Sequence, residues 1–140
     1  MDASDNRSWL TGAMLVGVIY LVAGVVFGAL AGAATSHQMV VTWRAAAYVV
    51  SAVAFAAHIW YEHFSLHSSP LTTALHATAA VALGAFGLAA AANIHELSSG
   101  APYRRRLGLA LVAWPFLTAV PAFVVAIAAT AVLARARERV

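Results

Sequence analysis

The chain has no cysteine and no lysine. The first absence excludes disulfides, thiolate metal sites and cysteine nucleophiles. Charge is scarce as well: charged residues make up 9% of the 140 residues, against about 25% in soluble domains. No stretch alternates apolar and polar residues in the way a β-barrel requires. No G-x-S-x-G string and no glycine-rich phosphate loop occurs, so hydrolase and nucleotide chemistry lack a foundation. No internal repeat or low-complexity tail is present. The net charge of +3 comes from eight arginines against five acids. These arginines lie at the ends of apolar runs, where they meet lipid headgroups, so the positive charge does not imply a nucleic-acid partner.

What remains is 63% hydrophobic, and it falls into four apolar stretches. They cover residues 9–33, 43–64, 70–95 and 107–134, each long enough for a bilayer that needs about 20 residues. Residues 1–140 therefore read as one all-α domain, an integral membrane four-helix transmembrane bundle with short loops. Ser69 before Pro70 is an N-cap followed by proline at the first helical position. Ser98, Ser99, Gly100 and Pro102 close the third span. Trp9, Trp43 and Trp60 fall near span ends, as an aromatic belt places them. Pro115 and Pro121 lie inside the fourth span, where each removes a backbone donor and should bend the helix. Ala31-Gly32-Ala33 resembles a signal-peptidase site, but the preceding apolar run is far longer than a signal core, so the first span is expected to be retained.

Four spans put both termini on one side. Arg7, Arg135, Arg137 and Arg139 lie there, and Arg44, Arg104, Arg105 and Arg106 lie opposite. The count is even, so charge does not fix the orientation; a bacterial inner membrane with cytoplasmic termini is the expected setting. The arginine triplet 104–106 reads as a topology anchor.

In lipid, helices associate by close packing rather than by the hydrophobic effect. Gly24, Gly28 and Gly32 are spaced by four on the first span, with Gly17 one heptad earlier, and form a groove that another helix can enter. The expected occupant is a neighbouring helix of the same bundle; the alternative is the interface of a homo-oligomer or larger membrane complex. Ala80, Gly84, Gly87 and Ala91 form a matching stripe on the third span.

Polar chemistry gathers in one place. Ionisable groups at membrane depth are costly and therefore candidates for function. His58 and Glu62 share a face of the second span with Ser51 and Ala54. His76 lies on the third span, about two turns beyond the intervening turn, at the depth of His58. His63 points away from the His58 face, and His67 would join His63 only if the helix ran that far. His37 and His95 lie near span ends. The pattern supports a haem- or metal-associated redox protein, or the membrane subunit of a redox complex. A b-type haem would take His58 and His76 as axial ligands; a transition metal would take His58, Glu62 and His76, with His63 as a further ligand. Against haem stands the spacing of adjacent helices, about 8–10 Å. Two alternatives remain open: a structural or assembly subunit docking through the glycine stripe, and a small proton-coupled carrier using His and Glu as a relay.

Overall fold

The computed structural model describes the backbone of residues 3–98 and 105–137, and side chains over 9–98 and 108–136. It contains four helices: α1 (Ala3–Gly32), α2 (His37–Phe64), α3 (Pro70–Ser98) and α4 (Arg105–Arg137). Each holds a segment long and apolar enough to cross a membrane. The chain is an all-α four-helix bundle with the character of an integral membrane protein.

The helices outrun the apolar stretches at the starts of α1, α2 and α4 and at the ends of α3 and α4. The differences are largest at α1, which begins at Ala3 rather than near Trp9, and at α2, which begins at His37 rather than near Trp43. Ser36 adopts an extended conformation and its side chain accepts a hydrogen bond from the Met39 amide at 3.2 Å. The cap sets the start, and the polar residues His37 and Gln38 continue the helix beyond the apolar core. At α3, Ser69 Oγ accepts from the Thr72 amide at 3.2 Å, immediately before Pro70, as the sequence indicates. The turn between α2 and α3 is closed by bonds from Ser65 N to Tyr61 O and from Ser68 N to Glu62 O. His67 sits in this turn with φ 51°, a left-handed conformation in which histidine is enriched. It therefore lies beyond α2 and does not share the His63 face. Pro115 and Pro121 lie within one continuous α4. Gly100, Pro102 and Arg104 lie outside the described residues.

The helices run alternately up and down. α1 packs along both α2 and α3, and α3 packs along α4. α2 and α3 meet chiefly near their shared turn, where Glu62 reaches His76. The α1–α3 seam is built on absent side chains: a Cβ at Gly84 would lie 2.6 Å from Tyr20 Cβ and 3.1 Å from the Gly17 carbonyl oxygen. Small residues allow this approach. One core cluster joins Ala13, Val16 and Tyr20 to Ala80. A second joins Ile59, Ala74, Ala77 and Ala126 across α2, α3 and α4.

The distribution of polarity is inverted relative to a water-soluble protein. Leu15, Val53, Leu109 and Phe116 are each at least 60% exposed, whereas the largest fully buried side chains are Glu62, Thr73 and Thr130. Apolar surface of this extent is unfavourable in water and ordinary in a bilayer. Thr130 Oγ1 donates within its own helix, to Ala126 O at 2.9 Å and Ile127 O at 3.0 Å.

Candidate functional site

The polar centre lies where α1 begins, α2 ends and α3 begins. Glu62 occupies the last turns of α2 and is completely buried. His76, on the second turn of α3, places Nδ1 3.0 Å from Glu62 Oε1 and 3.1 Å from Oε2. A proton on Nδ1 is donated to the carboxylate; with Glu62 protonated, the carboxyl O–H donates instead. Either arrangement satisfies the hydrogen bond with one proton between the two groups.

Trp9 of α1 fixes the imidazole plane. Its ring stacks on that of His76 with centroids 4.2 Å apart and planes 7° from parallel. Stacking leaves the ring edge free to meet the carboxylate and blocks rotation away from it. The sequence assigns Trp9 to an interfacial belt; its role as a clamp follows from α1 lying parallel to α3 at this register. His76 keeps 18% side-chain exposure, whereas Glu62 has none.

His58 is 3% exposed and its Nε2 has no hydrogen-bond partner in the protein. It lies within electrostatic range of both Glu62 and His76. Gly12 of α1 makes its seat: a Cβ there would lie 3.6 Å from His58 Cε1. His76 thus bonds Glu62, while His58, also at this end of the bundle, stands behind them as an unpaired imidazole. Thr73, one turn before His76, is fully buried with Oγ1 unpartnered.

His63 is 7% exposed and both of its ring nitrogens lack protein partners. Its ring meets Phe64 edge-on. Among the described residues no three His, Cys, Asp or Glu side chains converge in a metal-holding arrangement. Glu62 and His76 are in contact with each other; His58 and His63 are not bonded to either. His37 and His95 are exposed on the far side of the bundle.

The glycine stripe divides. Gly24 packs internally, since a Cβ there would meet the Leu88 side chain of α3 at 2.5 Å. Gly28 and Gly32 have nothing within 4 Å of a built Cβ; they line a cleft instead. Gly24, Gly17 and Gly84 thus all face the α1–α3 seam; Gly17 and Gly84 meet backbone-fixed atoms there, and Gly24 meets the end of a side chain.

Compared with known protein families, with characterised proteins and with solved structures, the chain matches none of them.

Proposed function

We propose that this chain is a small proton-handling membrane protein, a proton-coupled carrier or the proton-relay subunit of a larger assembly. Glu62 and His76 hold the proton and His58 is the next acceptor. The observation that carries the reading is a fully buried carboxylate with both oxygens within 3.1 Å of one imidazole nitrogen, in a bundle with an apolar exterior. Ionisable groups inside a bundle are costly and pair with one another, and His and Glu chains serve as relays. A purely structural link between α2 and α3 needs no titratable pair; an uncharged amide and hydroxyl would join the helices at lower desolvation cost. Trp9 contributes rigidity, which keeps donor and acceptor within bonding distance while the proton changes owner.

Infrared difference spectroscopy on the protein in lipid tests this directly. Acidification should produce a protonated-carboxyl band that vanishes in Glu62→Gln and shifts in frequency in His76→Phe. In liposomes loaded with a pH-sensitive dye, both variants should lose proton entry driven by a potential. If no carboxyl band depends on Glu62, or if proton entry in both variants equals that of the unaltered protein, the reading is wrong.

The haem or metal reading draws support from different atoms. His58 Nε2 and both nitrogens of His63 are buried without partners, and unpartnered imidazoles are what a metal recruits. A metal would have to draw His58 towards the dyad and displace the Glu62–His76 bond. Absorption spectra and metal analysis of protein purified from a haem- and metal-replete host decide it. A Soret band, or a stoichiometric metal lost in His58→Ala, would favour this reading over the relay.

A further inference from the structure

The half of the bundle away from the dyad contains a cleft of about 980 Å³. It exists because α2 packs only lightly on α4, and α1 makes no contact with α4 among the described residues. Its walls are the second half of α1 from Tyr20 to Gly32, the first half of α2 and the middle of α4. The α1 wall is about 18 Å long at 1.5 Å per residue. One leaflet of hydrocarbon is about 15 Å deep. The cleft therefore runs from the surface where α1 ends to the middle of the bilayer, the depth of one acyl chain. Nothing narrows it at Gly28 and Gly32, where a built Cβ would have no neighbour within 4 Å.

Charge decides which lipid fits. Arg44 is the one charged residue in the lining, and among the described residues no carboxylate pairs with it. It lies about two turns inside the start of α2 at His37. Helical side chains lean towards the N-terminus of their helix, so its apolar stem runs back along the cleft and its charge reaches the surface. Trp43, the preceding residue, packs on Phe27 of α1 with ring centroids 6.1 Å apart, and tryptophan marks the headgroup level. A guanidinium without a counter-charge at the edge of lipid is costly, and its planar fork matches the oxygens of a phosphate. The same side of the bundle carries Arg104, Arg105 and Arg106 where α4 begins, against a single acid, Glu96. Basic pockets between membrane helices bind anionic headgroups.

We propose that the cleft is a binding site for an anionic phospholipid of the adjoining leaflet. Its phosphate sits on Arg44, and one acyl chain lies over Gly28 and Gly32 towards the middle of the bilayer. A zwitterionic lipid would fill the same space, but its ammonium group offsets the attraction of the arginines. This inference stands independently of the proton reading, because it uses none of Glu62, His76 or His58.

The test uses the full chain in nanodiscs of equal parts phosphatidylglycerol and phosphatidylcholine with identical acyl chains. The protein is released into mild detergent and weighed intact by native mass spectrometry, which counts each retained lipid. Phosphatidylglycerol should be retained in preference. Arg44→Gln should lower that preference about fivefold, the worth of one arginine facing an anionic headgroup. Gly28→Leu fills the cleft, leaves every charge in place and should abolish retention of phosphatidylglycerol. Its open surroundings allow the bundle to fold, which circular dichroism verifies. Four results overturn the proposal. Equal retention of both lipids makes the cleft a bed for bulk acyl chains. A preference unchanged in Arg44→Gln removes the headgroup contact, and its loss on combining Arg104→Gln, Arg105→Gln and Arg106→Gln would assign it to surface charge alone. Retention that survives Gly28→Leu puts the lipid outside the cleft. No retained lipid leaves the site without its ligand, and a dimer by light scattering that Gly28→Leu disrupts would then assign the cleft to a helix from a second copy.

Discussion

Adding one methyl group at each of three glycines gives a graded test of how α1 meets α3. All three sites are helix-interior, so the helix-propensity gain of Gly→Ala, about 1 kcal/mol, is common to them and cancels in the comparison. At Gly84 the new Cβ would lie 2.6 Å from Tyr20 Cβ and 3.1 Å from the Gly17 carbonyl oxygen. Neither atom can rotate away, because one is fixed to the α1 backbone and the other belongs to it. The helices must separate by several tenths of an ångström, and overpacking of this kind costs about 1–3 kcal/mol. At Gly24 the obstructing atoms are the Leu88 methyls at 2.5 and 2.7 Å; a change of rotamer relieves them at a cost of about 1 kcal/mol. At Gly28 nothing lies within 4 Å, and only the propensity gain remains. Gly84→Ala should therefore be destabilised relative to Gly28→Ala by about 1–3 kcal/mol, with Gly24→Ala between them. Reversible unfolding in mixed detergent micelles, followed by circular dichroism, measures the series. If Gly84→Ala is as stable as Gly28→Ala, the α1–α3 contact is not as close as described, and the seat of Trp9 on His76 falls with it.

Further outcomes follow from individual residues. Glu62→Ala strands the partly buried His76 nitrogen; interhelical bonds in membranes are worth about 0.6–1.7 kcal/mol, and removing one partner of a buried pair costs about 3–5 kcal/mol in water-soluble proteins. With Glu62 fully buried, the loss should exceed 1.7 kcal/mol, the upper limit of the membrane range; the same unfolding assay reads it, and a loss no greater than that of Thr130→Val would contradict the placement. Thr130→Val itself should change stability by less than about 1 kcal/mol, because its hydroxyl bonds only carbonyls of its own helix. Trp9→Leu should free the His76 ring, seen as faster ring exchange or a second resonance by NMR, and cost about 0.5–1.5 kcal/mol beyond lost area; an unchanged His76 signal would deny the clamp. Ser36→Ala and Ser69→Ala should each cost about 1 kcal/mol through lost caps, and hydrogen exchange at the Met39 and Thr72 amides should rise locally.

Most of the architecture was legible because hydropathy is a local quantity. A run of apolar residues long enough for the bilayer must be helical there, since every backbone group needs an internal partner. Span ends were less legible at His37, because polar residues can continue a helix outside lipid and only the Ser36 cap stops it. The polar centre was half legible. Helical periodicity puts His58 and Glu62 on one face, and the short turn brings His76 to their depth. Nothing local says that His76 takes the carboxylate and leaves His58 unpaired, for this depends on how α1 inserts Trp9 and Gly12 beside them. The glycine stripe shows the same limit: identical residues at identical spacing are packed at Gly24 and open at Gly28, according to where α4 and α2 diverge.

Composition and pattern alone thus determined four membrane-crossing helices and the concentration of titratable groups near one turn, since both follow from short-range periodicity and transfer free energy. Tertiary structure decided the Glu62–His76 bond, the Trp9 stack and the cleft below Tyr20. These depend on distances between helices far apart in the chain, which are set by a few contacts between backbones that no stretch of sequence contains.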